Sequence, residues 1–388
     1  MSEIITNFDK NRNKAILSQF RDSNIELLRI VTMFFIVAHH YVVNSGLTSI
    51  GGPIDSAPLS RKSVFLLLFG AWGKTGINCF VLITGYFMCK SNITLKKFVK
   101  LLGEVMFYKI IIGSVFYVTG YEEVSVKAIV KMIMPISSVQ TNFTGCYILF
   151  FLFIPFLNIL IKHLTEKQHA LLLMLCGFTY TFFGTIKLLP VSMNYVSWFI
   201  VLYFISSYIR LYPKNIFSKT RVWGFLTIVC ILLCSLSVIC CTWLSVKLNK
   251  DLWFFFVTDS NTFLSVVTGI CSFMFFKNFK IKYNSLINAV ASTTFGILMI
   301  HANCDAMRRW LWQDICRNVE VYNDQFMPLI SVGCVMAIFC ICSFIDWIRI
   351  IFIERPLMKK IELWEPKVVM WWKKKEQRIC RKFQIQEK

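Results

Sequence analysis

Leu27-Leu28-Arg29-Ile30-Val31-Thr32-Met33-Phe34-Phe35-Ile36-Val37-Ala38-His39-His40-Tyr41-Val42-Val43 is the stretch on which the fold turns. A nearly unbroken apolar run of this length is what the hydrocarbon core of a bilayer asks of one helix, about 17 to 25 residues. It nevertheless carries Arg29 and His40. The bilayer interior penalises ionisable side chains, so such a pair marks a functional site. At 3.6 residues per turn the two lie close to three turns apart, about 16 Å along the axis with nearly the same facing. Glu26, Arg29, Met33, Val37, His40 and Asn44 therefore fall roughly on one stripe, the wall of a polar cleft in an otherwise apolar helix.

Outward from this run the chain repeats the pattern. Of its 388 residues 56% are hydrophobic and only 16% charged, with a mean hydropathy of +0.60, which excludes a soluble globular domain. Apolar stretches at 27–44, 64–88, 98–119, 144–162, 169–186, 195–211, 222–246, 254–276, 285–302 and 329–353 predict an all-α, polytopic membrane protein of about ten transmembrane helices. The implied organisation is an N-terminal tail over 1–26, a membrane domain over 27–356 and a basic C-terminal tail over 357–388. The first 26 residues are polar and lead directly into a full span, so no cleavable signal is read.

Lys and Arg concentrate in alternate loops: Lys10, Arg12, Lys14 and Arg21; Lys90, Lys96 and Lys97; Lys162 and Lys167; Lys214, Lys219 and Arg221; Lys277, Lys280 and Lys282; then the tail. The positive-inside rule places these, and with them both termini, in the cytoplasm. The same rule accounts for the net charge of +21, which in a soluble domain would suggest nucleic acid; no nucleic-acid partner is expected. Trp371-Trp372-Lys373-Lys374-Lys375 reads as an aromatic and basic anchor at the inner leaflet, with the lipid bilayer as partner.

Nearly all 15 cysteines sit in apolar spans, where they pack as small hydrophobes. Cys304 and Cys316 share an outer loop, where a disulfide can form. No CxxC pair has metal spacing, and no metal is expected. The largest loops, about 45–63, 120–143 and 303–328, are assigned outside; Glu122 to Lys131 and Met307 to Val319 suit short interfacial helices. No internal repeat is apparent, which disfavours a transporter built of two halves.

Polar residues recur in the second span, where Lys74, Thr75, Asn78 and Thr84 break the apolar run and Gly70, Gly73 and Gly76 permit close helix contact. Asn78 and Thr84 read either as helix-to-helix glue or as substrate contacts, and Lys74 either snorkels outward or contacts substrate. His301 ends the ninth span in Phe295-Gly-Ile-Leu-Met-Ile-His301. The first and ninth spans both run outward, which puts His40 and His301 at one level in the outer half of the membrane. Each is either part of one extracytoplasmic site or a hydrogen-bonded packing residue. His163 and His169 fall in a short cytoplasmic loop and read as solvated. His39, about 100° around from His40, faces a neighbouring helix or headgroups.

These residues carry a resemblance. Arg29, ten residues and His40 within Asn24-Ile-Glu-Leu-Leu-Arg-Ile-Val-Thr-Met-Phe-Phe-Ile-Val-Ala-His-His resemble the signature of the acyltransferase 3 family, membrane O-acyltransferases of bacterial surface polysaccharides. Phe80-Val-Leu-Ile-Thr84-Gly85-Tyr86-Phe87 is similar to the family's second-span motif, with Thr84 in place of the more usual Ser. Ile297 to His301 resembles its late aliphatic-His element. Phe352-Ile-Glu354-Arg355-Pro356 resembles its final-span ending, and Ile154-Pro155-Phe156-Leu157-Asn158 the fourth span of its exopolysaccharide branch. The resemblance implies a multi-pass enzyme of the bacterial cell membrane that moves an acyl group, in the first instance acetyl, from acetyl-CoA to a hydroxyl of a capsule, exopolysaccharide or lipid-linked oligosaccharide.

The chemistry fits. An alcohol is a poor nucleophile at neutral pH and needs a base, a task for which imidazole is suited. His40 is expected as general base, with His301 beside it and Arg29 either orienting Glu26 or binding the donor. Asn78 and Thr84 are candidate donors to the developing oxyanion, with Lys74 as a further substrate contact. Lys96, Lys97 and Lys100 are candidates for the CoA phosphates. Acetyl-CoA is cytosolic and the histidines lie outward, so either the pantetheine arm threads a channel along the stripe or an acyl-enzyme carries the group across. A polysaccharide flippase or polymerase-like protein is the alternative, for which charged rings or a large outer loop are missing.

Overall fold

Helix α1 (Ser23–Val43) begins at Asp22, with Glu26 in its first turn to complement the helix dipole. The Asn24 side chain ties that start to a distant segment by donating to the carbonyls of Phe276 (2.8 Å) and Lys277 (3.1 Å). The computed structural model describes residues 22–136, 143–186 and 194–382. Lys10, Arg12, Lys14 and Arg21, expected in the cytoplasmic tail, lie outside the described residues, as does the end of the chain from 383.

After α1 come α2 (Arg61–Gly70), α3 (Gly73–Met88), α4 (Leu95–Val118), α5 (Phe143–His163), α6 (Glu166–Cys176) and α7 (Tyr195–Leu211). Then follow α8 (Thr220–Leu248), α9 (Phe263–Asn278), α10 (Ser285–Ser292), α11 (Thr294–His301), α12 (Met327–Arg349) and α13 (Arg355–Lys382). Every regular element among the described residues is helical. Each of the ten apolar stretches holds helix, but fewer are long enough to cross unaided. Among the described residues seven helices have the length and hydropathy of a span, or eight if the bent pair Ser285–His301 and Asp305–Val321 is one. Tyr195–Leu211 and Phe263–Asn278 are shorter apolar helices. The stretch expected from 254 becomes regular helix only at Phe263, because Asp259, Ser260, Asn261 and Thr262 form a turn, with Thr262 donating its hydroxyl to the Asp259 carbonyl.

Large apolar side chains face outward. Phe156, Phe225, Leu232, Phe344 and Phe352 are each more than half exposed, on helices long and apolar enough to sit in lipid. The molecule is thus an all-helical, polytopic membrane protein.

Inside, the core divides into two apolar clusters, and α1 belongs to both. Ile25 and Leu28 pack with α3, α5, α7 and α9; Met33 to Val42 pack with α2, α11 and α12. The glycines at spacing three let α1 come close. A Cβ on Gly70 would lie 2.9 Å from Val42 and one on Gly76 2.9 Å from Ile36, while one on Gly73 would strike the His39 ring. One expectation fails, and one open possibility is not realised. His169 is fully buried, its Nε2 3.0 Å from the Phe204 carbonyl amid Phe204, Tyr208 and Tyr212, because its helix folds back onto α7. Cys316 does not meet Cys304: its sulfur lies 3.2 Å from that of Cys334, both as free thiols.

Candidate active site

The site is built where α1 and α11 meet. His40, one turn before the end of α1, places Nδ1 2.9 Å from Nε2 of His301, the last residue of α11. His301 is fully buried and its Nδ1 lies 2.6 Å from the carbonyl of Ile297, one turn back in its own helix. A carbonyl only accepts, so His301 Nδ1 carries the proton and, in the neutral ring, Nε2 presents a lone pair. The proton shared between the rings then belongs to His40 Nδ1. This leaves His40 Nε2 with a lone pair and, among the described residues, no hydrogen-bond partner. His40 itself is partly exposed. The arrangement can accept a proton at His40 Nε2 while His301 steadies the resulting imidazolium.

Trp312, fully buried, stands edge-on to both Tyr41 and His301 and closes the pair on one side. His39 points away to the Gly70 carbonyl, 2.6 Å distant. Lys74 does not snorkel freely: it donates to the Tyr195 hydroxyl at 2.9 Å and lies 3.6 Å from an Asp259 carboxylate oxygen. One turn past His40, a cavity of about 420 Å³ is lined by Val43, Thr48, Asp251, Trp253, Phe254 and Thr258.

Other predicted residues take different places. At the start of α1, Arg29 Nε lies 3.6 Å from Glu26 Oε2, and the guanidinium sits over the Phe80 ring at 5.8 Å. This pair and the histidine pair occupy opposite ends of one stripe. Asn78 is fully buried and its amide is spent: Nδ2 donates to the carbonyls of Ser260 (2.7 Å) and Ser265 (3.1 Å), and Oδ1 accepts from Trp198 Nε1 (2.9 Å). It is the joint between α3, α7 and α9. Thr84 donates to the Phe80 carbonyl at 3.1 Å and accepts from the Tyr147 hydroxyl at 2.9 Å. Lys96 pairs with Glu362, and Lys100 with Glu354 at 2.6 Å. Lys97 donates to the Ser91 hydroxyl and the Asn92 carbonyl.

One cluster escapes the reading of the sequence. Arg349 gathers three carboxylates, Asp346 (2.6 Å), Glu354 (3.0 Å) and Glu104 (3.1 Å), all buried. Tyr108 donates to Asp346 at 2.7 Å. Gly296, one turn before His301, makes room for the Asp346 carboxylate, which would clash with any Cβ there. The network thus ties α4 and α12 and abuts the helix that carries His301. Its signal was present: Asp346 and Arg349 are ionisable residues three apart in an apolar span, the same anomaly as in α1.

An all-helical membrane protein with an intramembrane imidazole pair, one nitrogen free, is suited to deprotonating a weak nucleophile such as a hydroxyl. A family model described as an acyltransferase domain matches residues 22–347. The chain belongs to the acyltransferase 3 family and is a membrane acyltransferase, moving groups other than amino-acyl groups. No curated protein and no solved structure gives a significant match. Family membership decides for an enzyme over the flippase or polymerase-like alternative.

Proposed function

We propose that the protein transfers an acyl group, acetyl in the first instance, from acyl-CoA to a sugar hydroxyl of a surface polysaccharide or its lipid-linked precursor, in the bacterial cell membrane, with His40 as general base. The observation that carries this reading is the His40–His301 contact, which fixes the tautomer of both rings and leaves the Nε2 lone pair on a partly exposed His40.

In this reading the hydroxyl oxygen attacks the thioester carbonyl carbon as His40 Nε2 takes its proton. The tetrahedral intermediate then collapses, the C–S bond breaks, and the proton returns from His40 to the departing thiolate. No net proton is gained or lost. His301 acts on His40 rather than on substrate, holding the ring and stabilising its charged form. The amide protons of Asn78 and the hydroxyl of Thr84 are committed inside the protein, which leaves the cation of Lys74, held by Tyr195 and near Asp259, as the remaining candidate to support the oxyanion. Arg29, steadied by Glu26, serves the donor at the cytoplasmic end. The acceptor approaches from the other face, where Trp253 and Phe254 offer flat surfaces and Asp251 and Thr258 polar partners. Direct transfer needs no acyl-enzyme, but Met33 and Val37, which lie between Arg29 and His40 on the stripe, are buried in the core, so the donor arm reaches His40 only when the helices around them part.

The experiment that tests the reading compares purified surface glycan from parent and deletion strains by proton NMR and mass spectrometry. A lost acyl increment is expected and names group and acceptor together; identical glycans would refute the reading.

A further inference from the structure

The inner ends of α3, α7 and α9 enclose a second cavity, of about 220 Å³, lined among others by Tyr86, Lys90, Arg210, Lys214, Phe217 and Lys277. It lies at the end of the molecule where α1 begins, since the Lys277 carbonyl accepts from Asn24 at 3.1 Å. Four of these residues are cationic. Lys214 is neutralised by Glu166 at 3.0 Å. Among the described residues Lys90, Arg210 and Lys277 have no carboxylate partner.

Arg210 and Lys277 are only partly exposed. The Arg210 guanidinium lies over the Tyr86 ring at 4.4 Å and donates through Nη1 to the Tyr86 hydroxyl at 2.6 Å, while its Nε is buried without a hydrogen-bond partner. Lys277 Nζ meets only neutral oxygens, Asn278 Oδ1 at 2.8 Å and the Phe217 carbonyl at 3.3 Å. Positive-inside topology explains exposed lysines facing headgroups, Lys90 among them; it does not explain Arg210 and Lys277, half-buried in a concave, aromatic-walled site with no carboxylate of their own. Like charges held half-buried repel one another, and an anion placed among them relieves the repulsion. The contrast with Lys96 and Lys100, both paired within the chain, is direct.

We propose that this cavity is a phosphoryl-anion site, in which Arg210 supplies a planar fork and Lys277 and Lys90 point charges to the phosphates of a phosphate ester. Its volume is below that of a pocket that encloses a drug-sized ligand, about 300 to 1,000 Å³, so it holds phosphate and leaves the organic part outside. Asn24 joins its wall to the first turn of α1, about 8 Å along the axis below Arg29. A diphosphate anchored here sends its ester arm toward the Glu26–Arg29 pair, which favours the diphosphate of a coenzyme A thioester over a phospholipid headgroup. That choice of source rests on the donor reading above; the anion site itself does not.

The test uses the full chain in nanodiscs of neutral phosphatidylcholine, with coenzyme A and inorganic diphosphate as probes in equilibrium binding. Arg210→Gln and Lys277→Gln are each expected to weaken both probes roughly ten-fold, the double variant to abolish binding, and Arg210→Lys to recover part of the loss. Lys282→Gln, an exposed cation outside the cavity, should change nothing. Inorganic diphosphate should compete with coenzyme A. If anionic phosphatidylglycerol in the nanodisc displaces both probes from the wild-type protein, the site stands and a lipid headgroup is its source. Binding of diphosphate but not coenzyme A sinks the donor reading and keeps the site. Wild-type affinity in the two Gln variants, or no binding of either probe to the wild type, overturns the proposal.

Discussion

His40 and His301 differ in what their second nitrogen meets, and that difference assigns their roles. The Nδ1 proton of His301 is fixed on a helix carbonyl, so His301 serves as an acceptor and orienter, as a carboxylate does in a serine-hydrolase triad but without its charge. Replacing it by Ala removes the acceptor for His40 Nδ1–H and frees the ring to turn. His301→Gln restores a side-chain oxygen that can accept that hydrogen bond. We expect His301→Ala to lower kcat roughly 10² to 10³-fold, within the range for a disturbed general base, and His301→Gln to retain clearly more, with KM for the donor little changed in both. Acyl transfer by the purified variants measures this; equal rates in Ala and Gln variants would show that His301 only fills space.

The helices bring these rings together through positions that lack a side chain. Gly73 admits the His39 ring between α1 and α3, and Gly296 admits Asp346 against α11. Gly296→Ala would drive a Cβ into a buried carboxylate held by Arg349 and Tyr108, and should destabilise the protein by about 1–3 kcal/mol as overpacking does. Gly103→Ala meets nothing within 4 Å and should leave stability equal or slightly higher, since Ala favours helix over Gly by about 0.5–1 kcal/mol. Thermal unfolding in detergent compares them, and equal unfolding temperatures would show that the clash relaxes freely. At this scale the sequence was partly legible. The glycine spacing in the second span announced close packing, and the packing partner is α1. Asp346 and Arg349 were absorbed into an apolar run because their neighbours outweigh them in hydropathy, although the rule that singled out Arg29 and His40 applies to them equally. Asn78 could be read two ways from its position, and only the Ser260, Ser265 and Trp198 contacts show its amide fully engaged.

Across the whole molecule, α1 runs through both halves of the core and connects two cavities, one among cations at its start and one among aromatics past its end. Hydropathy made the spans legible because burial in lipid is a property of composition. It could not show which lysines matter, because topology places many on one face for a reason unrelated to ligands, and only their partners separate Lys96 and Lys100 from Lys90 and Lys277. The shared level of His40 and His301 followed from counting spans; their 2.9 Å contact required the fold. The central claim is that His40 takes the hydroxyl proton. It is tested most directly by the acyl content of surface glycan, read by proton NMR, from cells carrying His40→Ala at wild-type protein abundance. Loss of at least about 10²-fold in acylation is expected for a missing general base, whereas glycan acylated to the parental level would contradict it.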